Sequence, residues 1–398
     1  MNKKIKDFFL EGRHTLLIIY FLAALIASIQ QYFGGEKKLN DQLPAYTHYN
    51  NYIIFKQSFF HLKQAADLYA PYTAEQYDLY KYSPTFALLF SFFAYLPDGL
   101  GLLLWNVLNA FALFFGVRML PLTIQQKNGV LLFALVEMLT SLQNAQSNAL
   151  IAGLLVFAFA LMEEKRFFLA CVCISLTVFI KLFGIFAFAL CLMYPQRWRM
   201  VGYSIGIIIM LALLPLCLIE FHSLISCYHS WWRLLQSDYV PNSLSLTGAI
   251  RAWFKVDVSK NAVLLLGLLL FAVPFIRIKQ FAFLNYRLIV FSTILVWMIV
   301  FNHKAESPTF IIAITGIGLW YWVSSLPEKP KRILAAFALI FTSLSTTDLF
   351  PNFIQDNYFD VFSVKAIAPI AIYLGMLYEL IFRTEKIVLP PETKRARQ

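Results

Sequence analysis

The stretch CVCISLTVFIKLFGIFAFALCLMY (residues 171–194) is apolar except at Lys181, and residues 167–194 carry no other charged side chain. A charge within a membrane-depth run is expensive and is kept for a task or marks a boundary. Lys181 divides the run in two, 167–180 and 182–194, each short for a span. We read it as two short membrane helices that meet at the outer face, with Lys181 between them.

Working outward, apolar runs recur from residue 15 to residue 381. Of the 398 residues, 60% are hydrophobic and 14% charged, whereas a soluble globular chain is about 25% charged. The pattern predicts an all-α, polytopic membrane protein forming one transmembrane domain over 1–398. The first apolar run follows MNKKIKDFFLEGRH without a small-residue cleavage site, so it reads as a retained helix rather than a signal peptide. The net charge is +11. The basic residues lie in short connections, which suits membrane orientation and not a nucleic-acid partner.

Charge sets the topology. Helices are expected at about 15–33, 100–120, 129–142, 147–162, 167–180, 182–194, 200–220, 262–276, 287–301, 308–325, 333–347 and 363–381, twelve in all. The connections QQKNG, EEKR, PQRWR, RIKQ and EKPKR fall on the cytoplasmic side with both termini, including the basic tail 382–398. An extracytoplasmic loop spans 34–99 and a second spans 221–261. Within the first, NNYIIFKQSFFHLKQ (50–64) places Ile54, Phe55, Phe59 and Leu62 on one face, the pattern of an interfacial helix. YSPTFALLFSFFAYLPDG is too short to span and is read as re-entrant. The protein is placed in a bacterial-type cell (inner) membrane.

Four polar clusters converge on the outer face: the first loop, the turn QNAQSN, Lys181, and NHKAES (302–307). Together they suit a lipid substrate. A lysine at the interface holds a phosphate leaving group, a carboxylate takes a proton from an acceptor hydroxyl, and Asn, Gln and His bind sugar hydroxyls. Each residue has a plainer role open to it: Lys181 as a snorkelling helix end, Gln146 and Asn148 as turn residues, His303, Lys304 and Glu306 as a solvated loop, His48 and His61 as interfacial polar groups. The six histidines make no HExxH pattern, the five cysteines have no metal-ligand spacing, and no P-loop or GxGxxG stands on a cytoplasmic element. No metal or cofactor is expected.

In order along the chain, Asn51-Tyr52-Ile53-Ile54-Phe55, Leu68-Tyr69, Tyr82-Ser83-Pro84, LLLWNVLNA (102–110), Ala145-Gln146-Ser147-Asn148, Ile180-Lys181-Leu182-Phe183-Gly184, NSLSLTG (242–248) and Ser307-Pro308 resemble the motifs of glycosyltransferase family 87. These are GT-C type membrane enzymes related to polyprenol-phosphate-mannose-dependent α-(1,2)-mannosyltransferases. The resemblance covers roughly residues 15–325. It implies an inverting transfer of a hexose, mannose by the family's example, from a polyprenyl phosphate sugar to a glycan or glycolipid acceptor on the extracytoplasmic face. It also implies an aspartate base in the first loop, where this chain has Asn51, and an amide cannot accept the proton. Glu306 is the preferred substitute, with Asp41, Asp67 and Asp78 as the loop alternatives. Lys181 would stabilise the departing phosphate, helped by His303 or Lys304. Asn50, Asn51, Tyr52, Tyr82, Gln146 and Asn148 would line the sugar site, and a groove beside YSPTFALLFSFF would hold the isoprenoid. A transporter or flippase of a lipid-linked glycan and a non-catalytic assembly subunit are the competing readings. Co-location of Glu306 and Lys181 in one cavity favours the enzyme over the subunit, whereas a transporter needs deep polar residues on facing helices and repeated halves.

Overall fold

A computed structural model of the chain describes residues 13–38, 44–237 and 243–383. Asp41, Asn242 and most of the basic tail lie outside the described residues. Among those residues the structure is helical apart from one antiparallel pair of two-residue strands, Glu36–Lys37 and Tyr46–Thr47. All twelve expected apolar segments are helices. Four are long and apolar enough to cross a membrane by length and composition: His14–Phe33, Asp98–Met119, Arg197–Cys217 and Val364–Phe382. Six further apolar helices are 10–17 residues long, among them Asn148–Glu163, Phe167–Ile180 and Leu284–Val300.

The central pair, Leu284–Val300 and Phe310–Val323, is almost fully buried and, beyond the first turn of Leu284–Val300, almost wholly apolar, as a helix is when it has no polar face. The outer helix Arg197–Leu213 instead exposes Ile205, Ile209 and Met210. In a membrane protein such residues meet lipid.

The two halves of the opening stretch are separate, as their charge requires. Phe167–Ile180 is α-helical, Lys181 is extended (φ −139°, ψ 124°), and Leu182–Met193 is a 3₁₀ helix. The extended residue turns the chain sharply. Gly184 permits the tight return, because a Cβ there would lie 2.4 Å from Thr177 Oγ1 and 2.8 Å from the Thr177 carbonyl carbon. The segment 82–99, expected to be re-entrant, is broken into short pieces. Two short helices, Pro84–Leu89 and Ser91–Ala94, stand there. Ser83 caps the first of them and donates to Phe179 O (2.5 Å), while Thr85 donates to Leu211 O (2.8 Å).

The Asn50–Lys63 helix has the expected face but not the expected neighbour. Ile54, Phe55, Phe59 and Leu62 are all buried. Phe55 stacks edge-on against Tyr82, Phe86, Phe90 and Trp105. The apolar face that suggested a membrane interface packs on protein, because the pair of short helices offers it an aromatic floor.

Alternate connections gather at opposite ends of the bundle. At one end Arg287 grips Glu163 with two N–H groups (2.5 and 2.8 Å), and Tyr194 donates to the same carboxylate (2.5 Å). At the other end the turn at 144–147, the junction at Lys181 and the loop 302–306 surround one cavity.

Candidate active site

The cavity holds about 540 Å³, within the usual range for a small-molecule site. Its polar side is formed by Asn51, Asp78, Lys81, Tyr82, Gln146, Lys181, His303, Lys304 and Glu306. Its apolar side includes Leu182, Ile185, Phe186, Leu264, Trp297 and Phe301. Leu182, Ile185 and Leu264 are each at least 40% exposed, so this wall opens sideways from the bundle.

Gln146 organises the polar side. Its Nε2 donates to Glu306 Oε2 (3.0 Å). Its Oε1 accepts from Asn148 Nδ2 (2.5 Å) and, at longer range, from Lys181 Nζ (3.5 Å). Lys181 Nζ donates to Asn148 Oδ1 (2.8 Å) and lies 5.7 Å from the centre of the Tyr82 ring. One carboxamide therefore joins a cation to a carboxylate. Burial pushes Lys181 down to about 8; Glu306 opposes that shift and Lys81 adds to it. Glu306 also stands at the head of the turn Ser307–Thr309, its carbonyl accepting from the Thr309 backbone N–H (3.0 Å) while Thr309 Oγ1 accepts from Glu306 N (3.2 Å). Gln146 thus orients a carboxylate that remains exposed to the cavity, on a residue whose backbone the turn holds in place.

The turn that presents Gln146 bends at Ala145, which takes a left-handed conformation (φ 48°). Trp105 Nε1 donates to Ala145 O (2.9 Å) and fixes it. Left-handed backbone costs a Cβ-bearing residue about 1–2 kcal/mol, and glycine gives part of that back in unfolded-chain entropy. Ala145→Gly is expected to stabilise the protein by about 0.5–1 kcal/mol, read as a higher thermal midpoint in detergent. An unchanged or lower midpoint would mean the turn is not strained.

Several expected site residues are placed differently. Tyr52 is fully buried and donates to Phe93 O (3.0 Å); it supports the first-loop helix and does not line the cavity. Asn50 is also outside it, its Oδ1 accepting from Tyr77 N (3.0 Å). Asn148 lies beneath the cavity, fully buried, and acts on it by holding Lys181. Asn51 does line the cavity, but its Nδ2 donates to Asn144 O (2.9 Å). That contact needs an amide, so Asn51 ties the first loop to the Gln146 turn and is no base. Of the alternative carboxylates, Asp67 caps its own turn at Tyr69 N and is absent from the cavity wall. Asp78 is on the wall, paired with Lys81 (3.0 Å). The cavity's apolar wall is formed by 182–186 and 297–301; of YSPTFALLFSFF, Tyr82 lines the cavity while Phe86 and Phe90 are buried in the core.

Trp231 and Trp232 were not anticipated. Both line the cavity from the Phe221–Ser237 helix, and Trp231 Nε1 donates to Lys81 O (3.2 Å). The amphipathic spacing of FHSLISCYHSWWRLLQS carried that signal. Among the described residues no three His, Cys, Asp or Glu side chains converge as a metal site would need.

The family model of glycosyltransferase family 87 matches residues 80–344, two thirds of the chain. The chain belongs to that family. The match takes in Lys181, the Gln146 turn and Glu306, so the cavity lies mostly within the family's shared segment. The family member described here is a membrane glycosyltransferase. It is similar to the crystal structure of ArnT from Cupriavidus metallidurans in the apo state, with 13% identity, 92% of this chain and 75% of that chain covered, and a TM-score of 0.42. No curated protein matches the chain.

Proposed function

We propose that this glycosyltransferase moves a hexose, mannose by its family's example, from a polyprenyl phosphate sugar to a hydroxyl of a glycan or glycolipid, with inversion at the anomeric carbon. The observation that carries the reading is the shared cavity of Lys181 and Glu306, bridged by Gln146 and bordered by an apolar wall that opens sideways. A lipid-linked phosphosugar needs those three elements. The isoprenoid lies along Leu182, Ile185, Leu264 and Phe301. The phosphate meets Lys181, with His303 and Lys304 near it. The carboxylate of Glu306 takes the proton of the acceptor hydroxyl as its oxygen bonds to the anomeric carbon. The bond from that carbon to the phosphate oxygen breaks, and the electron pair leaves with polyprenyl phosphate, whose charge Lys181 stabilises. No metal is assigned a role. The cavity faces the extracytoplasmic side of a cell membrane, with both termini cytoplasmic.

The test is sugar transfer in proteoliposomes with labelled polyprenyl phosphate mannose or glucose and a native glycolipid extract. Transfer supports the reading; flipping of the donor lipid without transfer would sink it in favour of a flippase.

Asn51 provides a sharper check. Asn51→Asp would set a carboxylate against the Asn144 carbonyl, now 2.9 Å from a donated N–H. Loss of that donor and the repulsion that replaces it are expected to lower turnover about tenfold or more by loosening the Gln146 turn. An increase in turnover would show that position 51 is the base site and that Glu306 is not the base.

A further inference from the structure

Beneath the loop that carries Glu306 lies a buried ion pair. Glu137, on the Ile124–Gln143 helix, is fully buried, and Lys365, at the start of the Val364–Phe382 helix, is 3% exposed. Lys365 Nζ is 2.8 Å from Glu137 Oε1. It also donates to Ser307 Oγ (2.8 Å) and Thr346 Oγ1 (3.2 Å). Two of the ammonium's three N–H groups are thereby matched by hydroxyl oxygens, and the Glu137 carboxylate faces it at ion-pair distance. Phe310 covers the same nitrogen, its ring centre 5.4 Å away. Lys365 lies beyond the segment matched by the family model, which ends at residue 344.

Buried charges of this kind are rare and usually functional in membrane proteins, yet neither residue lines the cavity. Their link to it runs through Ser307, the neighbour of Glu306 and the first residue of the turn that Glu306 caps. From there polar contacts continue without a break through Glu306, Gln146 and Asn148 to Lys181. We propose that Lys365 is a positioning residue: it holds Ser307 so that the Glu306 carboxylate faces the cavity, while Glu137 fixes Lys365 in place. The inference rests on the reading of Glu306 as the base.

Four forms of the full-length protein in detergent test it: wild type, Ser307→Ala, Lys365→Met, and Lys365→Met with Glu137→Met. Replacing both members of a buried pair by apolar groups commonly restores the stability lost when one is removed. The expected results are these. Ser307→Ala lowers the thermal midpoint much less than Lys365→Met, keeps the donor KM, lowers kcat about tenfold to a hundredfold, and speeds amide exchange over 302–309. Lys365→Met loses stability and kcat together. The double variant recovers the midpoint, but not kcat or the exchange protection of that loop. Recovery of all three in the double variant, or wild-type kcat and exchange in Ser307→Ala, would overturn the proposal and leave the pair as a structural tie. Should the wild type transfer no sugar, the proposed donor fails, and loop exchange alone decides whether Lys365 positions Glu306.

Discussion

Lys181→Ala is expected to lower kcat by about 10²–10³, the loss typical of one charge-stabilising donor in a preorganised site. Phosphate departs as an anion, and Lys181 is the cation held at the polar end of the apolar wall, where the leaving group must sit. Lys181→Arg should recover part of the loss, since charge is kept but the fit to Asn148 Oδ1 is not. The wild type carries a matching pH signature. Burial brings Lys181 down to about 8 from an ordinary 10.5, so the ammonium is lost as pH rises through 8. The rate constant kcat/KM should fall toward a tenfold drop per unit above that point. In kcat the limb should sit higher, because bound phosphate favours the ammonium. The sign for stability is opposite. Between about 8 and 10.5 the unfolded chain binds more protons at Lys181 than the folded one, so this residue's contribution to stability rises with pH. Activity and thermal midpoint measured from pH 7 to 10 would then move apart on account of this residue. A flat profile, or full turnover in Lys181→Ala, would remove Lys181 from the leaving-group role.

Glu306→Gln is expected to lower kcat by about 10²–10⁴, the usual contribution of a general base, with donor KM almost unchanged. The substitution is close to isosteric. An amide oxygen at 306 still accepts from Gln146 Nε2, so the cavity keeps its form and only proton acceptance is lost. Asp78→Asn is the control. Asp78 lies on the same wall but is engaged by Lys81, and its loss should cost much less. A reversal of these two effects would move the base to the first loop. Added small nucleophiles would not distinguish the cases, whereas the ratio of the two kcat values does.

Elements governed by neighbours in sequence were legible from sequence. Lys181 broke an apolar run, and the chain does break there into two helices. The prolines around 84–97 and the short apolar length between them foretold a break in helix, and two short helices stand there. Gln146, Lys181 and Glu306 were brought to one face by topology alone. What stayed hidden depended on contacts between distant segments. Tyr52 looked like a sugar ligand because it stands beside Asn51, but helix geometry sends its ring inward to Phe93 and Phe90. The face of the first-loop helix was legible, its partner was not, since a protein floor and a lipid interface demand the same apolar side chains. Lys365 sits only one residue into a long apolar helix and reads as a helix-end charge until Glu137, 228 positions earlier, is placed beside it.

The tethers that frame the cavity share a property with a consequence for how such chains diverge. Ser83 reaches Phe179, Thr85 reaches Leu211, Trp105 reaches Ala145, Asn51 reaches Asn144 and Trp231 reaches Lys81, and every one ends on a main-chain carbonyl. A carbonyl is the same whatever side chain follows it. The receiving position is therefore free to drift while the geometry persists, and each contact constrains one residue rather than two. Methods that infer proximity from paired substitutions will be blind along this frame. The coupled changes they need should instead appear where side chain meets side chain, at Gln146 with Glu306 and at Glu137 with Lys365.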